Sequence, residues 1–178
     1  MVNELGKGMD RVGRSARQAL QDDANHRTVW RIRKFASQEE YEKDNPYEVS
    51  EIKGNVLLNE GINELWTIVC SSGGTKYDNT NAQLGVGDDA TAEDATQTGL
   101  LGSNQTWKGM DSGYPTYGTN QKATFKATFG ADEANHPWRE FSVRNGATAD
   151  KNLNRKVSDQ GTKASGQVWE LTLSITLS

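Results

Sequence analysis

Residues 168–177, with the sequence VWELTLSITL, alternate regularly between apolar and polar side chains. A period of two places Leu171, Leu173, Ile175 and Leu177 on one face of an extended strand and the polar residues on the other. A strand with a single apolar face has to bury that face against a second layer of structure. This run therefore constrains the chain to a fold that contains a half-buried β-sheet.

Five more segments with the alternation and composition of strands follow Gly74, and clusters of Asn, Asp, Gly and Ser separate them. These segments are residues 82–86, 106–110, 123–129, 138–143 and 153–157. Six short strands joined by polar turns predict a mainly β, antiparallel sandwich or barrel-like domain. Trp138 and Trp169 are expected in its core, because the chain has few other large side chains to fill one.

One helix is predicted before these strands. Apolar residues recur from Val56 to Val69, after Asn55 as a candidate N-cap, and they cover more than half of the helix circumference. A helix with so wide an apolar surface is expected to be buried. Cys70, the single cysteine of the chain, is accordingly expected to be a core thiol.

Charge divides the chain into an arm and a body. Residues 1–35 carry eight basic and four acidic side chains, whereas the rest of the chain carries 12 basic and 20 acidic ones. The alternation at 28–35 predicts a short strand, and the acidic stretch 37–51 predicts an extended connector. The sequence thus predicts an N-terminal docking arm over residues 1–54 and a β-rich body over residues 55–178.

The beginning of the arm has the spacing of a helix–helix seam. Val2, Leu5, Met9, Val12 and Ala16 recur in steps of three and four residues. Two heptads interrupted by glycines are too short to form a stable helix alone in water. We expect this amphipathic helix to order on binding, either to copies of the chain or to a larger scaffold. The alternative is a helix that folds back on its own domain.

The predicted partner-binding residues combine this seam with arginines of the arm and with the apolar side of its strand. They are Val2, Leu5, Met9, Arg11, Val12, Arg14, Ala16, Arg17, Trp30, Arg31, Ile32, Arg33 and Phe35. The arginines are expected to pair with acidic groups of a partner, and the strand to add an edge to a neighbour's sheet. Deletion of residues 1–35 is then expected to leave a folded body. The acidic body argues against nucleic acid as the main partner.

No group of residues predicts a catalytic or metal site. The glycines of residues 85–88 lack the third glycine and the following helix of a dinucleotide loop. The acidic residues 88, 89, 93 and 94 do not have the spacing of an EF-hand. His26 and His136 are not part of a nucleophile signature, and Asp111 with Glu140 is one of many carboxylate pairs that a fold could bring together. We expect no enzymatic activity, no cofactor and no metal.

Nothing in the sequence predicts a membrane span either. No window approaches the roughly 18 consecutive apolar residues that such a helix needs, and mean hydropathy is −0.80. Residues 1–7 lack the apolar core of a secretory signal, so export is not expected.

The body contains a series of short motifs, at residues 81–88, 95–100, 108–111, 114–115, 127–130, 134–135, 138–141, 152–157 and 161–163. As a set, these motifs resemble a family of small virion proteins of tailed bacteriophages. They fall within residues 55–178. The strand that ends in glycine and the later aromatic strand with Glu140 are also loosely similar to attachment domains of phage tail-collar fibres.

The resemblance implies a structural component of a phage virion, assembled in the host cytoplasm. We expect a capsid decoration or cement protein, a homo-oligomer and preferably a trimer, whose arm docks on the major capsid protein or another virion protein. A tail, neck or baseplate attachment protein is the alternative. A carbohydrate-binding module or glycoside hydrolase, using the tryptophans and a carboxylate pair, is a more distant one.

Overall fold

The computed structural model describes residues 26–146 and 150–178, which form two antiparallel five-stranded sheets packed as a sandwich. The first sheet consists of β1 (His26–Phe35), β2 (Glu48–Lys53), β6 (Thr116–Thr119), β7 (Lys122–Phe129) and β10 (Val168–Leu177), in the order β2-β1-β10-β7-β6. The second sheet consists of β3 (Val56–Leu57), β4 (Gln83–Gly87), β5 (Gln105–Gly109), β8 (Glu140–Arg144) and β9 (Asn154–Val157), in the order β3-β9-β8-β4-β5. Two helices, α1 (Gln38–Glu42) and α2 (Asn59–Cys70), lie in the connections. The prediction of a mainly β sandwich is confirmed.

The six strands predicted after Gly74 are all present, and their bounds differ from the predicted ones by at most two residues. The alternation within them also predicts the buried face correctly. Leu171, Leu173 and Ile175 in β10, and Phe125 and Phe129 in β7, are buried. The sequence did not predict β2, β3 and β6, because β2 is acidic and the other two are short.

Tryptophans hold the two sheets together, as the composition predicted. Trp138, which is completely buried, lies with its ring centroid 4.9 Å from those of both Trp169 and Phe129. Its indole nitrogen donates a hydrogen bond to the Ala134 carbonyl, so the polar edge of the ring is satisfied. The predicted core positions of Trp138 and Trp169 are confirmed.

β1 lies in the interior of the first sheet, with β2 on one side and β10 on the other. All ten of its residues pair with β10 in one register, from His26 opposite Leu177 to Phe35 opposite Val168. The sheet is therefore built around two long strands from opposite ends of the described chain.

This position corrects the predicted docking arm. Trp30, Ile32 and Phe35 have 0% exposure, so the prediction that they anchor a partner is wrong: they fill the core of their own domain. β1 cannot add an edge to a neighbour's sheet, because strands already bond to both of its sides. The boundary predicted after residue 54 is corrected for the same reason, since residues 26–53 supply two strands of the sandwich.

The helix α2 also differs from its prediction. It begins at Asn59 and has Leu58, not Asn55, as its N-cap residue. Only Gly61 is buried, so the expectation of a buried helix is wrong. Cys70 at its end is exposed, which corrects the predicted core thiol. Within the described ranges, neither helix has the length and apolar character that crossing a bilayer requires.

Deleting residues 1–35 is expected to unfold the sandwich, because the deletion removes the strand between β2 and β10 and three core side chains. Each large core side chain contributes roughly 3–5 kcal/mol, against a typical domain stability of about 5–15 kcal/mol. Deleting residues 1–25 leaves every described strand intact and is expected to preserve cooperative unfolding. Circular dichroism with urea denaturation measures both. A cooperative transition in the longer deletion would contradict the central position of β1.

Candidate functional site

An apolar groove of about 530 Å³ opens at the end of the first sheet where β10 ends and β1 begins. We call it the end groove. It is lined by residues of α2, β7, β10 and the adjoining loops: Leu65, Ile68, Lys76, Tyr77, Pro115, Tyr117, Gly118, Gln121, Lys122, Ala123, Phe125, Leu153, Ile175 and Leu177. Its volume lies within the range of sites that enclose a ligand or several protein side chains.

The end groove runs from a buried floor to an exposed rim. Phe125, Leu153 and Ile175 at the floor belong to the hydrophobic core, whereas Tyr117 and Leu177 at the rim are 77% and 56% exposed. The core of the sandwich is thus continuous with an apolar surface at this end. Such a surface is typical of an interaction site.

Tyr77 forms a fixed wall of the groove. Its hydroxyl donates a hydrogen bond of 3.0 Å to the Lys151 carbonyl. Burial raises the pKa of the Tyr77 phenol, and the charges of Glu64 and Glu60 raise it further. The phenol therefore remains protonated and continues to donate this bond at physiological pH.

The helix α2 presents two neighbouring apolar faces. Leu65 and Ile68 face the end groove. Trp66 and Val69, each the next residue along the helix, are 62% and 71% exposed. These four residues continue the apolar surface from the groove onto the outer side of α2.

Polar and backbone contacts hold α2 on the sandwich. Glu60 accepts a hydrogen bond of 2.8 Å from the Asn152 amide, and Glu64 accepts one of 3.0 Å from the Asn145 side chain. Gly61 lies so close to the Leu153 backbone that a Cβ there would collide with it. Leu65 adds a partly buried contact with the hydrophobic core, and Trp66 and Val69 take no part in the attachment.

A buried ion pair joins two strands of the second sheet, β8 and β9. Arg155 Nη2 lies 2.7 Å from Glu140 Oε2, and both side chains have 0% exposure. Glu140 also accepts hydrogen bonds from the backbone amides of Leu101 and Gly102. Arg155 donates to the Thr91 carbonyl at 2.8 Å. The pair is thus satisfied by the long β4–β5 loop, residues 88–104, which it fixes against the sheet.

Acidic residues of the same loop have separate partners. Asp89 lies 3.1 Å from Arg155, and Glu93 accepts a bond of 2.7 Å from the Val157 amide. Hydrogen bonds from Thr91, followed by the Arg155 charge, lower the pKa of Asp89. Burial alone would raise the pKa of Glu93, but bonds from Val157 and Lys156 outweigh it and lower the pKa.

The other two acidic residues of this group, Asp88 and Asp94, are also engaged in hydrogen bonds. Asp88 accepts from Asn104, and Asp94 accepts from Thr96. In the part of the chain that the structure describes, no group of three or more His, Cys, Asp or Glu is arranged to hold a metal ion.

The candidate catalytic residues are bound to structural partners. Asp111 accepts hydrogen bonds from the amide and the hydroxyl of Thr128, at 3.0 and 2.7 Å, and Glu140 is the buried partner of Arg155. His136 contacts the Thr106 hydroxyl at 3.1 Å. His26 contacts the Thr28 hydroxyl at 2.8 Å.

The predicted partner-binding residues divide into three groups. Val2, Leu5, Met9, Arg11, Val12, Arg14, Ala16 and Arg17 lie outside the described residues. Trp30, Ile32 and Phe35 are in the core, as reported above. Arg31 is exposed, whereas Arg33 is partly buried between Asp44 and Glu170.

The sequence did not predict the end groove or the exposed positions of Trp66 and Val69. Two signals were present. Apolar residues cover more of α2 than one contact face needs, and Gly61 stands inside the helix at a point of close backbone approach. Both features fit a helix that is attached narrowly and keeps an apolar side free.

No family model, curated protein or solved structure matches this chain.

Breaking the buried ion pair is expected to destabilise the fold far more than breaking a surface pair. Arg155→Met leaves Glu140 buried without a counter-charge and is expected to lower the free energy of unfolding by roughly 3–5 kcal/mol. Arg139 lies 3.5 Å from Asp159 with both side chains largely exposed, so Arg139→Met is expected to cost less than about 1 kcal/mol. Urea denaturation measures both. Equal losses would contradict a structural role for the buried pair.

Acid is expected to weaken the anchoring of the β4–β5 loop. A carboxylate whose folded pKa is lowered stabilises the fold above its unfolded pKa, and the contribution is lost as pH falls through the folded pKa. The free energy of unfolding should therefore fall as the pH drops below about 4.3, the ordinary pKa of a glutamate side chain. Urea midpoints across this range should decrease less steeply in Glu93→Gln than in the unsubstituted chain. The same slope in both would contradict the contribution of Glu93.

Proposed function

We propose that this chain is a non-enzymatic structural protein that joins a larger assembly through the outer face of α2. The observation that carries the proposal is the exposure of Trp66 and Val69 beside each other on one helix. Tryptophan is enriched among residues that dominate the energy of protein interfaces. Large apolar side chains that remain in solvent beside an apolar groove mark a surface on which another protein binds.

The mounting of α2 supports this use. Hydrogen bonds from Asn152 and Asn145 to the glutamates of the helix, together with the close packing of Gly61, fix its orientation before any partner binds. A surface that is already ordered loses little side-chain and backbone freedom on association. The same contacts therefore serve both the fold and the binding of a partner.

The specific version of the proposal is a capsid decoration protein of a tailed-phage virion, with the major capsid protein as partner. It rests on the motif resemblance within residues 55–178. Attachment at the tail, neck or baseplate is the second version, and both use the same surface. Many weakly docked copies on a repetitive shell would hold together strongly through multivalency. Copy number separates the versions: hundreds of copies per particle indicate a shell protein, and three to twelve indicate a tail or neck protein.

Trp66→Ser with Val69→Ser is expected to reduce incorporation of the chain into its particle by about tenfold or more, because one or two hot-spot residues contribute upwards of 2 kcal/mol. Incorporation is measured by co-sedimentation of purified, tagged chain with particles that lack it. The isolated variant should have a urea midpoint at least as high as that of the unsubstituted chain, since both side chains are exposed to solvent.

The chain offers a matched control on another surface. Val49 in β2 is 45% exposed, against 71% for Val69. The single substitution Val69→Ser should reduce incorporation, and Val49→Ser should not. Equal incorporation of all variants would exclude the outer face of α2 as the docking surface.

A further inference from the structure

We infer that the end groove binds the apolar stripe of the N-terminal segment of the same chain, with Leu5, Met9 and Val12 seated in it. This inference goes beyond the proposed function and does not depend on it, since it concerns the groove and not the outer face of α2. Residues 1–25 lie outside the described ranges.

His26 is the first residue of β1. It is paired with Leu177, and Leu177 lines the end groove. Residues directly opposite each other in an antiparallel pair have Cα atoms about 4.5–5.5 Å apart. The chain that precedes His26 therefore joins the sandwich at the mouth of the groove.

The linker between the apolar stripe and β1 is long enough for the stripe to reach the groove. Nine residues, 17–25, connect Ala16 to His26. An extended chain spans at most about 3.3–3.6 Å per residue, so this connection can cover about 30 Å. That distance exceeds the diameter of a helix, about 10 Å, and allows the segment to turn back over the groove. A tether this short gives the segment a high local concentration that a second copy does not have in dilute solution.

The apolar stripe of the segment matches the chemistry of the groove. The groove is lined mainly by apolar side chains, and its polar groups, such as Lys76, Gln121 and Lys122, are few. The segment has a narrow apolar stripe, and an amphipathic helix binds in such a groove through its apolar face. Two glycine-interrupted heptads are unstable alone, so this contact also supplies the surface that the segment needs in order to fold.

Docking of the apolar stripe also determines which way the cationic side chains of the segment face. At about 100° per residue, Lys7, Arg11 and Arg14 fall on the side of the predicted helix opposite Leu5 and Met9. The cations therefore point to solvent when the stripe occupies the groove. The docked segment would then present a basic face to an acidic partner, next to the exposed side of α2.

A cysteine at the groove mouth reports whether the groove is covered. In full-length chain with Cys70→Ser and Leu177→Cys, the rate of maleimide alkylation is expected to be slow. Adding Leu5→Ser and Met9→Ser should raise the rate by about tenfold, because the stripe no longer protects the thiol. These substitutions lie outside the sandwich and should leave its cooperative urea transition in place, while the helical signal of the segment is lost together with its contact to the groove.

The matched control uses the same replacement residue on the opposite face. Lys7→Ser with Arg14→Ser should leave the alkylation rate of the Leu177→Cys chain within about twofold of its starting value. Equal alkylation rates in the Leu177→Cys chain with and without the stripe substitutions would overturn the inference. Protection that grows with protein concentration would also overturn it, because the occupant would then be a second copy.

Discussion

The pairing of β1 with β10 over ten residues determines most of the structure. It places Trp30 opposite Leu173 and Ile32 opposite Leu171, so that large apolar side chains from distant parts of the chain enter one core layer. β2 and β7 add to the free sides of this pair and complete the centre of the first sheet. The same register brings His26 to Leu177 at the open end of the sandwich. The core, the end groove and the attachment point of the N-terminal segment therefore all depend on one strand pair.

Two polar arrangements then determine what remains exposed. The buried pair of Glu140 and Arg155 fixes the β4–β5 loop, which has no regular secondary structure of its own, to the second sheet. Glutamates and Gly61 attach α2 by hydrogen bonds and close backbone contact. Leu65 adds a partly buried contact with the hydrophobic core, whereas Trp66 and Val69 face solvent. The apolar end of the sandwich therefore includes side chains of α2 that its own fold leaves exposed.

The sequence predicted the strands well and the place of the helix poorly, for physical reasons. Alternation with a period of two shows which face of a strand is apolar, and it correctly predicted the buried faces of β7 and β10. It also predicted a strand at 28–35, but it cannot show which strands flank it. The cationic face suggested an exposed arm, whereas β1 lies between two neighbours and only its outer face meets solvent. In α2, apolar content indicated burial, and the narrow attachment through Gly61 depends on tertiary contacts that no local pattern reports.

The proposed docking surface on α2 and the inferred binding site of the N-terminal segment meet at the apolar end of the sandwich. The most direct test is a methyl nuclear Overhauser spectrum of the full-length chain labelled at methionine and isoleucine methyls. The chain has three methionines, so the Met9 methyl can be assigned by a single substitution. The account predicts cross-peaks between the Met9 methyl and the methyl groups of Ile68 or Ile175, both of which line the groove. A Met9 methyl with the shift of an unfolded chain and no contact to either isoleucine would contradict it.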